Sequence, residues 1–354
     1  MRSFVFVAVV SSLFCNLTAT VGAIEVVDGG TAPAVYVVGF RFEGRGAVPS
    51  QLHQFSRRGV LQERRDLAET EQATSIATDG RDLYVGEFGT GNIDRYSING
   101  EYLGRFAELG DVLGRNPGTP KLEFDTAGNL YASAGGSSSR PRTSVRLDPA
   151  GTISQTFSHE DLVFPRGIDA AGDGSVYILH SAGTPQKLFK FGPNGNHVNT
   201  FSIPRTVNAS DLAINEFAHE LYLSDEFDES LHVYDISSGA PSYRSSIPMA
   251  GFPISVSVEP MSGRLFSLTY SRGTGGSGNQ LGFAYMGFEL TPEGVVENSY
   301  SAESFSFATD IVAVVPEPSS VVLLSFAVVF NAFAAKANRH PGSPESRPPT
   351  PESQ

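Results

Sequence analysis

The segment Ser175-Val176-Tyr177-Ile178-Leu179-His180-Ser181 is a short apolar run centred on a tyrosine, and similar runs recur along the chain. The other five are AVYVVGF around Tyr36, DLYVGEF around Tyr84, NLYASAG around Tyr131, ELYLSDE around Tyr222 and RLFSLTY around Phe266. By subtraction, successive aromatic residues are 48, 47, 46, 45 and 44 positions apart. This even spacing indicates six copies of one β-rich unit.

Each unit also contains the other parts of a four-stranded sheet. A segment of period two precedes most aromatic runs, as in 75–79, and a further strand follows the next turn, as in 102–106. The turns end in glycine, which accepts the positive φ that tight turns need. They read SRRG to Gly59, SING to Gly100, DPAG to Gly151, GPNG to Gly195, DISSG to Gly239 and TPEG to Gly294.

Six such units predict an all-β fold, a six-bladed β-propeller with four antiparallel strands in each blade. The propeller covers residues 24–314, with blades at about 33–67, 73–107, 120–158, 165–203, 209–248 and 252–299. Residues 308–314 echo 73–78, which predicts that they supply the inner strand of the first blade and close the ring. Residues 24–27 are a competing candidate for that place. Closure removes an open sheet edge that would otherwise favour aggregation.

One unit begins Phe164-Pro165-Arg166-Gly167-Ile168-Asp169 and continues through Tyr177 to the turn at Gly195. Its order of Pro, Ile-Asp, Gly-x-Val-Tyr and Phe-x-Pro-x-Gly resembles NHL-type propeller blades. The resemblance covers about residues 73–250, and related propeller families share this layout. It implies a propeller and specifies no activity, because this fold serves both catalysis and scaffolding.

The N-terminus has the layout of a secretory signal peptide over residues 1–23. Met1-Arg2 precedes the apolar run 4–14, and the small residues Val21-Gly22-Ala23 follow, so we expect cleavage after Ala23. The alternative is lipidation at Cys15, where Phe14 is bulkier than that processing favours. Cys15 is the only cysteine, so the mature chain would have no disulfide and no thiolate metal site.

The C-terminal part contains the motif Pro316-Glu317-Pro318, then the apolar stretch 321–335, then Lys336 and Arg339. This order resembles the PEP-CTERM sorting segment of exported bacterial proteins, here 315–340, and implies processing by an exosortase-type enzyme. A helix over 319–337 would be about 28 Å long, enough to span a bilayer, although a buried core helix is the alternative. The tail 341–354 is typical of disorder. Both ends together predict an exported protein, held in the membrane and then placed at the cell surface or outside the cell.

The composition disfavours several functions. Lys and Arg number 25 and Asp and Glu 38, which gives a net charge of −13. Such a charge repels phosphate backbones, so nucleic acid is not an expected partner. The seven histidines show no pair at metal-ligand spacing, and the motifs of serine nucleophiles and phosphate loops are missing from the sequence.

Carboxylates follow two of the aromatic runs at the same offset. Glu87 lies three positions after Tyr84, and Asp225 lies three positions after Tyr222 and is followed by Glu226. Glu87, Asp225 and Glu226 are therefore candidate Ca²⁺ ligands at one mouth of the propeller channel. Regucalcin and gluconolactonase propellers have such a site, but four of the six equivalent positions here are not acidic. An exposed acidic loop without metal is the competing interpretation.

These observations predict an exported propeller that acts as a binding or structural component of the cell envelope or extracellular matrix. Its partner would be a protein or glycan of that compartment, and no cofactor is required unless Ca²⁺ binds. The alternative is a calcium-dependent hydrolase or lactonase that uses the channel carboxylates. The Gly- and Ser-rich stretches 135–139 and 271–278 are candidate binding loops.

Overall fold

The repeated aromatic residues occupy equivalent places, each in the second strand of a four-stranded antiparallel sheet. The computed structural model describes residues 35–40, 42–43, 46–47, 49–113, 121–133, 142–206, 208–260, 262–272, 283–301 and 307–314. All six aromatic side chains are at least 96% buried there, since Tyr84, the most exposed, is 4% exposed. The predicted six-bladed propeller is confirmed in these residues.

The strands of each blade follow one another from the channel outward. Blade 1 consists of β26 (Phe307–Ala313), β1 (Val35–Phe40), β4 (Ser50–Phe55) and β5 (Leu61–Leu67). Blade 2 consists of β6 (Ala73–Thr78), β7 (Asp82–Glu87), β8 (Asn92–Ser97) and β9 (Tyr102–Glu108). Blade 3 consists of β10 (Leu122–Phe124), β11 (Leu130–Ala132), β12 (Thr143–Leu147) and β13 (Ile153–Ser158).

The remaining three blades have the same order. Blade 4 consists of β14 (Pro165–Ala170), β15 (Val176–His180), β16 (Gln186–Phe191) and β17 (His197–Ile203). Blade 5 consists of β18 (Ala209–Asn215), β19 (Glu220–Asp225), β20 (Ser230–Asp235) and β21 (Ser242–Pro248). Blade 6 consists of β22 (Phe252–Val258), β23 (Leu265–Arg272), β24 (Phe283–Leu290) and β25 (Val296–Ser301).

Two small elements lie outside the blades. A short hairpin pairs β2 (Phe42–Glu43) with β3 (Gly46–Ala47), and a single helical turn, α1 (Gly110–Leu113), follows β9. Among the described residues, no helix is long and apolar enough to cross a membrane. The predicted signal peptide, the membrane helix 319–337 and the tail 341–354 lie outside the described residues.

The ring closes by pairing of the two distant ends of the propeller. Strand β26 pairs antiparallel with β1, with Val35 opposite Ala313, as the sequence predicts for residues 308–314. The competing segment 24–27 lies outside the described residues. Arg57, in the β4–β5 turn, joins blade 1 to blade 6, because its guanidinium contacts Glu259 and lies 3.3 Å from the buried carboxylate of Glu289.

The apolar core is divided among the seams between blades. In the described residues, six clusters of buried side chains each combine residues of two neighbouring blades. Because burial of apolar area drives folding, each blade depends on both neighbours. The predicted turn glycines all have positive φ and donate to the residue three positions earlier; they are Gly59, Gly100, Gly151, Gly195, Gly239 and Gly294.

Candidate functional site: the propeller channel

The inner strands line a channel in which side chains form successive levels. Each inner strand contacts the inner strands of the two adjacent blades. We define the levels by pairing: one level contains the inner-strand residues that lie opposite the repeated aromatic residues of the second strands. The mouth level contains the residues opposite the aromatics, Val312, Ala77, Glu123, Asp169, Ala213 and Ser257. The axial level lies two positions earlier and contains Asp310, Ser75, Lys121, Gly167, Asp211 and Ser255.

An ion cluster fills the channel at the axial level. The Lys121 ammonium lies 2.8 Å from Asp211 Oδ2 and 2.7 Å from Asp310 Oδ1. These three residues belong to blades 3, 5 and 1, so the ammonium group lies close to the channel axis. Ser255 in blade 6 donates its hydroxyl to Asp310. The Lys121 side chain is only 11% exposed, so the charge is removed from water and compensated by two carboxylates.

The electrostatics of the cluster follow from burial and pairing. Burial alone lowers the pKa of a lysine, but the charges of Asp211 and Asp310 outweigh it and raise the pKa of Lys121 above its ordinary value. Burial raises the pKa of the Asp211 carboxyl, although the neighbouring Lys121 charge opposes the rise. Lys121 is therefore charged at any physiological pH.

Aspartates on the inner strands also join neighbouring blades through the backbone. Asp310 accepts a hydrogen bond of 3.0 Å from the Ile76 amide of blade 2, and Asp211 accepts one of 3.0 Å from the Val256 amide of blade 6. Asp169 accepts one of 2.7 Å from the Ile214 amide of blade 5. Each of these hydrogen bonds joins two adjacent inner strands, so the three aspartates help to fix the spacing of the blades.

A depression opens beyond the mouth level, where the inner strands turn into the second strands. It contains about 410 Å³ of non-protein space, part of it open to solvent. We call it the mouth cavity; it is lined by Glu123, Phe124, Thr126, Asp169, Ala170, Ile214, Asn215, Glu216, Phe217, Val258 and Pro260.

The carboxylates of the mouth cavity lack the compensation found at the axial level. The backbone of Glu123 pairs with Tyr131 in the sheet, but among the described residues its carboxyl group has no hydrogen-bond partner. Burial, followed by the charge of Asp169, raises the pKa of Glu123 well above its usual range. Burial raises the pKa of Asp169 to about 8, despite its two backbone donors, Ile214 and Ala170. Burial also raises the pKa of Glu216, with Asp125 and Asp173 adding to the rise.

An aromatic side chain borders these carboxylates. Phe217 lies in the turn between β18 and β19 of blade 5 and is 76% exposed, the most exposed large apolar side chain of the described residues. Exposure of a large apolar side chain to water is unfavourable, so a partner that covers Phe217 would gain binding free energy. Acidic groups beside an aromatic face are the chemistry that recognises ammonium and guanidinium groups.

The predicted calcium ligands lie at the opposite end of the blades, where second strands end. Glu87 belongs to blade 2 and accepts hydrogen bonds within its own loop, 2.6 Å from Thr90 and 3.3 Å from Asn92. Asp225 and Glu226 belong to blade 5, three blades away around the ring. The structure thus keeps Glu87 apart from the other two.

Asp225 and Glu226 also have local partners. Asp225 accepts from the backbone amides of Asn208, Phe227 and Asp228, which orders the loop that follows β19. Glu226 accepts from Arg166 at 3.3 Å. In the part of the chain that the structure describes, no group of three or more His, Cys, Asp or Glu residues is arranged to hold a metal ion. The Ca²⁺ site stays a prediction from the sequence.

Comparison with solved structures places this architecture among the propellers. A chain of a nidogen/laminin complex is 13% identical with a TM-score of 0.58, covering 80% of this chain and 100% of that one. A protein of unknown function from Bacteroides caccae is 12% identical with a TM-score of 0.58, covering 80% and 99%. The WD40 propeller domain of Doa1 is 12% identical with a TM-score of 0.51, covering 80% and 90%.

The chain is thus a six-bladed β-propeller resembling that of the nidogen/laminin complex in fold. Its channel contains the charged side chains of Lys121, Asp211 and Asp310. At such low identities the likeness shows the fold alone. No family model matches the chain, and no curated protein matches it either. The resemblances to NHL blades and to the PEP-CTERM segment therefore stay predictions.

Sequence reasoning missed the residues at the centre of the channel. Lys121, Asp211 and Asp310 are far apart in sequence, and each looks like an ordinary polar residue near the start of a strand. The repeat does not reveal them either, because the axial residue precedes its aromatic residue by 9 positions in blade 2, by 10 in blades 3 and 4 and by 11 in blades 5 and 6, and in blade 1 Asp310 follows Tyr36 by 274.

Proposed function

We propose that this protein is an exported binding scaffold of the cell envelope or extracellular matrix, and that its mouth cavity receives cationic side chains of a protein partner. The observation that carries the proposal is the mouth cavity itself, with three carboxyl groups of raised pKa beside the exposed Phe217. Propellers commonly serve as rigid binding scaffolds, which agrees with this use of the fold.

A cationic partner is favoured by charge at two length scales. At the cavity, an ammonium or guanidinium group would compensate Glu123 and Asp169, whose ionisation burial now opposes. Around the whole molecule, the net charge of −13 raises the local concentration of basic partners and speeds their encounter. The cluster of Lys121, Asp211 and Asp310 lies in the channel behind the cavity, so we expect a ligand to enter and leave by the same mouth.

The cellular address in the proposal comes from the two ends of the sequence. The signal peptide with cleavage after Ala23, the Pro316-Glu317-Pro318 motif and the following apolar segment support export, membrane retention and exosortase-type processing. Such an address places the propeller where matrix and envelope proteins are found. N-terminal sequencing of the mature protein from cell fractions would check it: a chain beginning at Ile24 agrees, and a chain that keeps residues 1–23 in the cytoplasm contradicts it.

Binding is tested with a fluorescently labelled oligolysine peptide and the purified chain, followed by fluorescence anisotropy. We expect Glu123→Gln and Glu216→Gln each to weaken binding by roughly tenfold, the equivalent of about 1.4 kcal/mol. Glu293→Gln, a change of the same charge on an exposed turn of blade 6, is the matched control. Equal affinity of all three variants would show that the peptide responds to net charge alone and that the cavity is not the site.

A further inference from the structure

A second polar constellation lies on blade 5, away from the channel. His232 in β20 is 1% exposed, and its Nδ1 lies 2.8 Å from the hydroxyl of Ser246 in the outer strand β21. Its other ring nitrogen, Nε2, lies 3.3 Å from Asp228 Oδ2 and 3.7 Å from Asp225 Oδ2. Ser246, His232 and an aspartate are therefore within contact distance in that order.

The two carboxylates decide which nitrogen of His232 carries the proton. A protonated Nε2 faces negative charge, whereas an unprotonated Nε2 would place its lone pair against two carboxylates. The tautomer with hydrogen on Nε2 is thus favoured, and it leaves Nδ1 as an acceptor. Ser246 then donates its hydroxyl proton to Nδ1, and the Tyr243 hydroxyl, 2.8 Å from Ser246 Oγ, donates to the serine.

The resulting arrangement contains the first two parts of an activated nucleophile, a hydroxyl and a base within hydrogen-bond distance of each other. Among the described residues, Nε2 of His232 makes no hydrogen bond, but the Asp228 carboxylate lies 3.3 Å from it and its charge favours the tautomer with hydrogen on Nε2. Ser246 is partly exposed and the Asp228 side chain is 53% exposed, so the hydroxyl is accessible from solvent although His232 behind it is buried. A cation lies at the same surface, since the Arg205 guanidinium is 4.4 Å from the centre of the Tyr243 ring.

We propose that Ser246 is a reactive serine that accepts the acyl group of a small ester, with His232 as general base and Asp228 as a positioning residue. In the first step Ser246 Oγ forms a bond to the acyl carbon, and its proton moves to His232 Nδ1. The bond from the acyl carbon to the leaving oxygen then breaks, and the alcohol departs with that proton. A water molecule then gives a proton to His232 and its oxygen forms a bond to the acyl carbon. The bond from the acyl carbon to Ser246 Oγ breaks, the proton passes from His232 to Oγ, and the acid is released.

The test uses a fluorophosphonate probe with the full chain, followed by intact mass measurement and peptide mapping. We expect one adduct at Ser246, its loss in Ser246→Ala, and unchanged labelling in Ser245→Ala, the neighbouring serine on the same strand. Removal of the base in His232→Gln should slow labelling on the order of a hundredfold. Asp228→Asn, at an exposed position, should slow it as well.

Thermal melting of each variant separates chemistry from folding. If His232→Gln melts far below the unmodified chain, its slow labelling could reflect unfolding. The labelling rate of Asp228→Asn, compared with that of Ser245→Ala, then tests the proposal. Absence of any adduct on the unmodified chain would overturn the proposal and leave the constellation a structural hydrogen-bond chain. The proposal would also be overturned if the rate of labelling at Ser246 did not change when His232 or Asp228 is replaced. Neither result bears on peptide binding at the mouth cavity.

Discussion

Lys121 lies directly before strand β10 and Glu123 lies within it, two positions further on, yet only the charge of Lys121 is compensated by oppositely charged neighbours. The Lys121 ammonium contacts two carboxylates from two other blades. The Glu123 carboxyl faces Asp169, a group of the same sign, and the pKa of both is raised. A buried charge with partners holds a structure together, whereas one without partners is available to protons or ligands. The ion pairs of the axial level are thus structural, whereas the mouth level contains carboxyl groups whose protonation can change, although Asp169 there also joins blades 4 and 5.

The largest effect should come from removing the compensated cation. Lys121→Met leaves Asp211 and Asp310 buried at the axis without a counter-ion, and breaking such a buried pair costs about 3–5 kcal/mol of unfolding free energy. Urea denaturation measures this loss. Lys187→Met, which removes a 41% exposed lysine near Asp161, is the matched control and should change stability by less than about 1 kcal/mol. A loss equally small for Lys121→Met would mean that the cluster contributes nothing to the ring.

A smaller loss of unfolding free energy should follow when a side chain is added at the axial level of blade 4. Gly167 occupies that place, and a Cβ there would lie 2.6 Å from the backbone nitrogen of Leu212 in blade 5. Gly167→Ala must therefore push two inner strands apart, at a cost of roughly 1–3 kcal/mol. Gly172→Ala is the control in the same blade, because its Cβ would meet only the end of the Glu216 side chain. Equal unfolding midpoints for the two variants would contradict this close packing.

The mildest effect is a pH dependence that belongs to the mouth level. The folded protein holds the proton of Asp169 more tightly than the unfolded chain, because the pKa rises from 3.8 to about 8. This contribution to stability is complete below about pH 4 and is lost as the pH rises through 8. Between pH 6 and 8 the loss should be about 1–2 kcal/mol, and Asp169→Asn should remove it. Asp161→Asn, an exposed acid, is the control; identical pH profiles for the two variants would refute the assignment.

The sequence predicts the propeller because its signals are local and repeated. Tyr36, Tyr131 and Phe266 each lie within a short apolar run, and Gly151 and Gly195 end turns whose chemistry is readable from four residues. Even the closing strand could be found, since residues 308–314 look like 73–78. Each of these features is a short pattern that is visible in the sequence, so the fold can be predicted without knowing which residues meet in space.

The site is harder to predict because its members meet only when the ring is complete. Asp211 and Asp310 reach Lys121 from blades that are far away in sequence. Because Glu87 and Asp225 each lie three positions after their aromatic residue, the sequence predicts that they lie at the same end of their blades. It does not give the distance between them across the channel or the local hydrogen-bond partners of each carboxylate. His232 and Ser246 lack a sequence motif, because cross-strand pairing and the β19–β20 loop bring them and Asp228 together.

Strand β26 makes the first blade the last to be finished. Thr309 donates to the carbonyl of Val38, a contact between residues 271 positions apart, and contacts of such long range form slowly. During synthesis, blades 2 to 6 can each assemble from consecutive strands, whereas blade 1 needs a segment that is made about 270 residues after its own β1. A proteolytic cut shortly before residue 307 would leave an arc instead of a ring, with the inner edge of β1 open to other chains. The order of synthesis therefore sets when this protein becomes safe from aggregation.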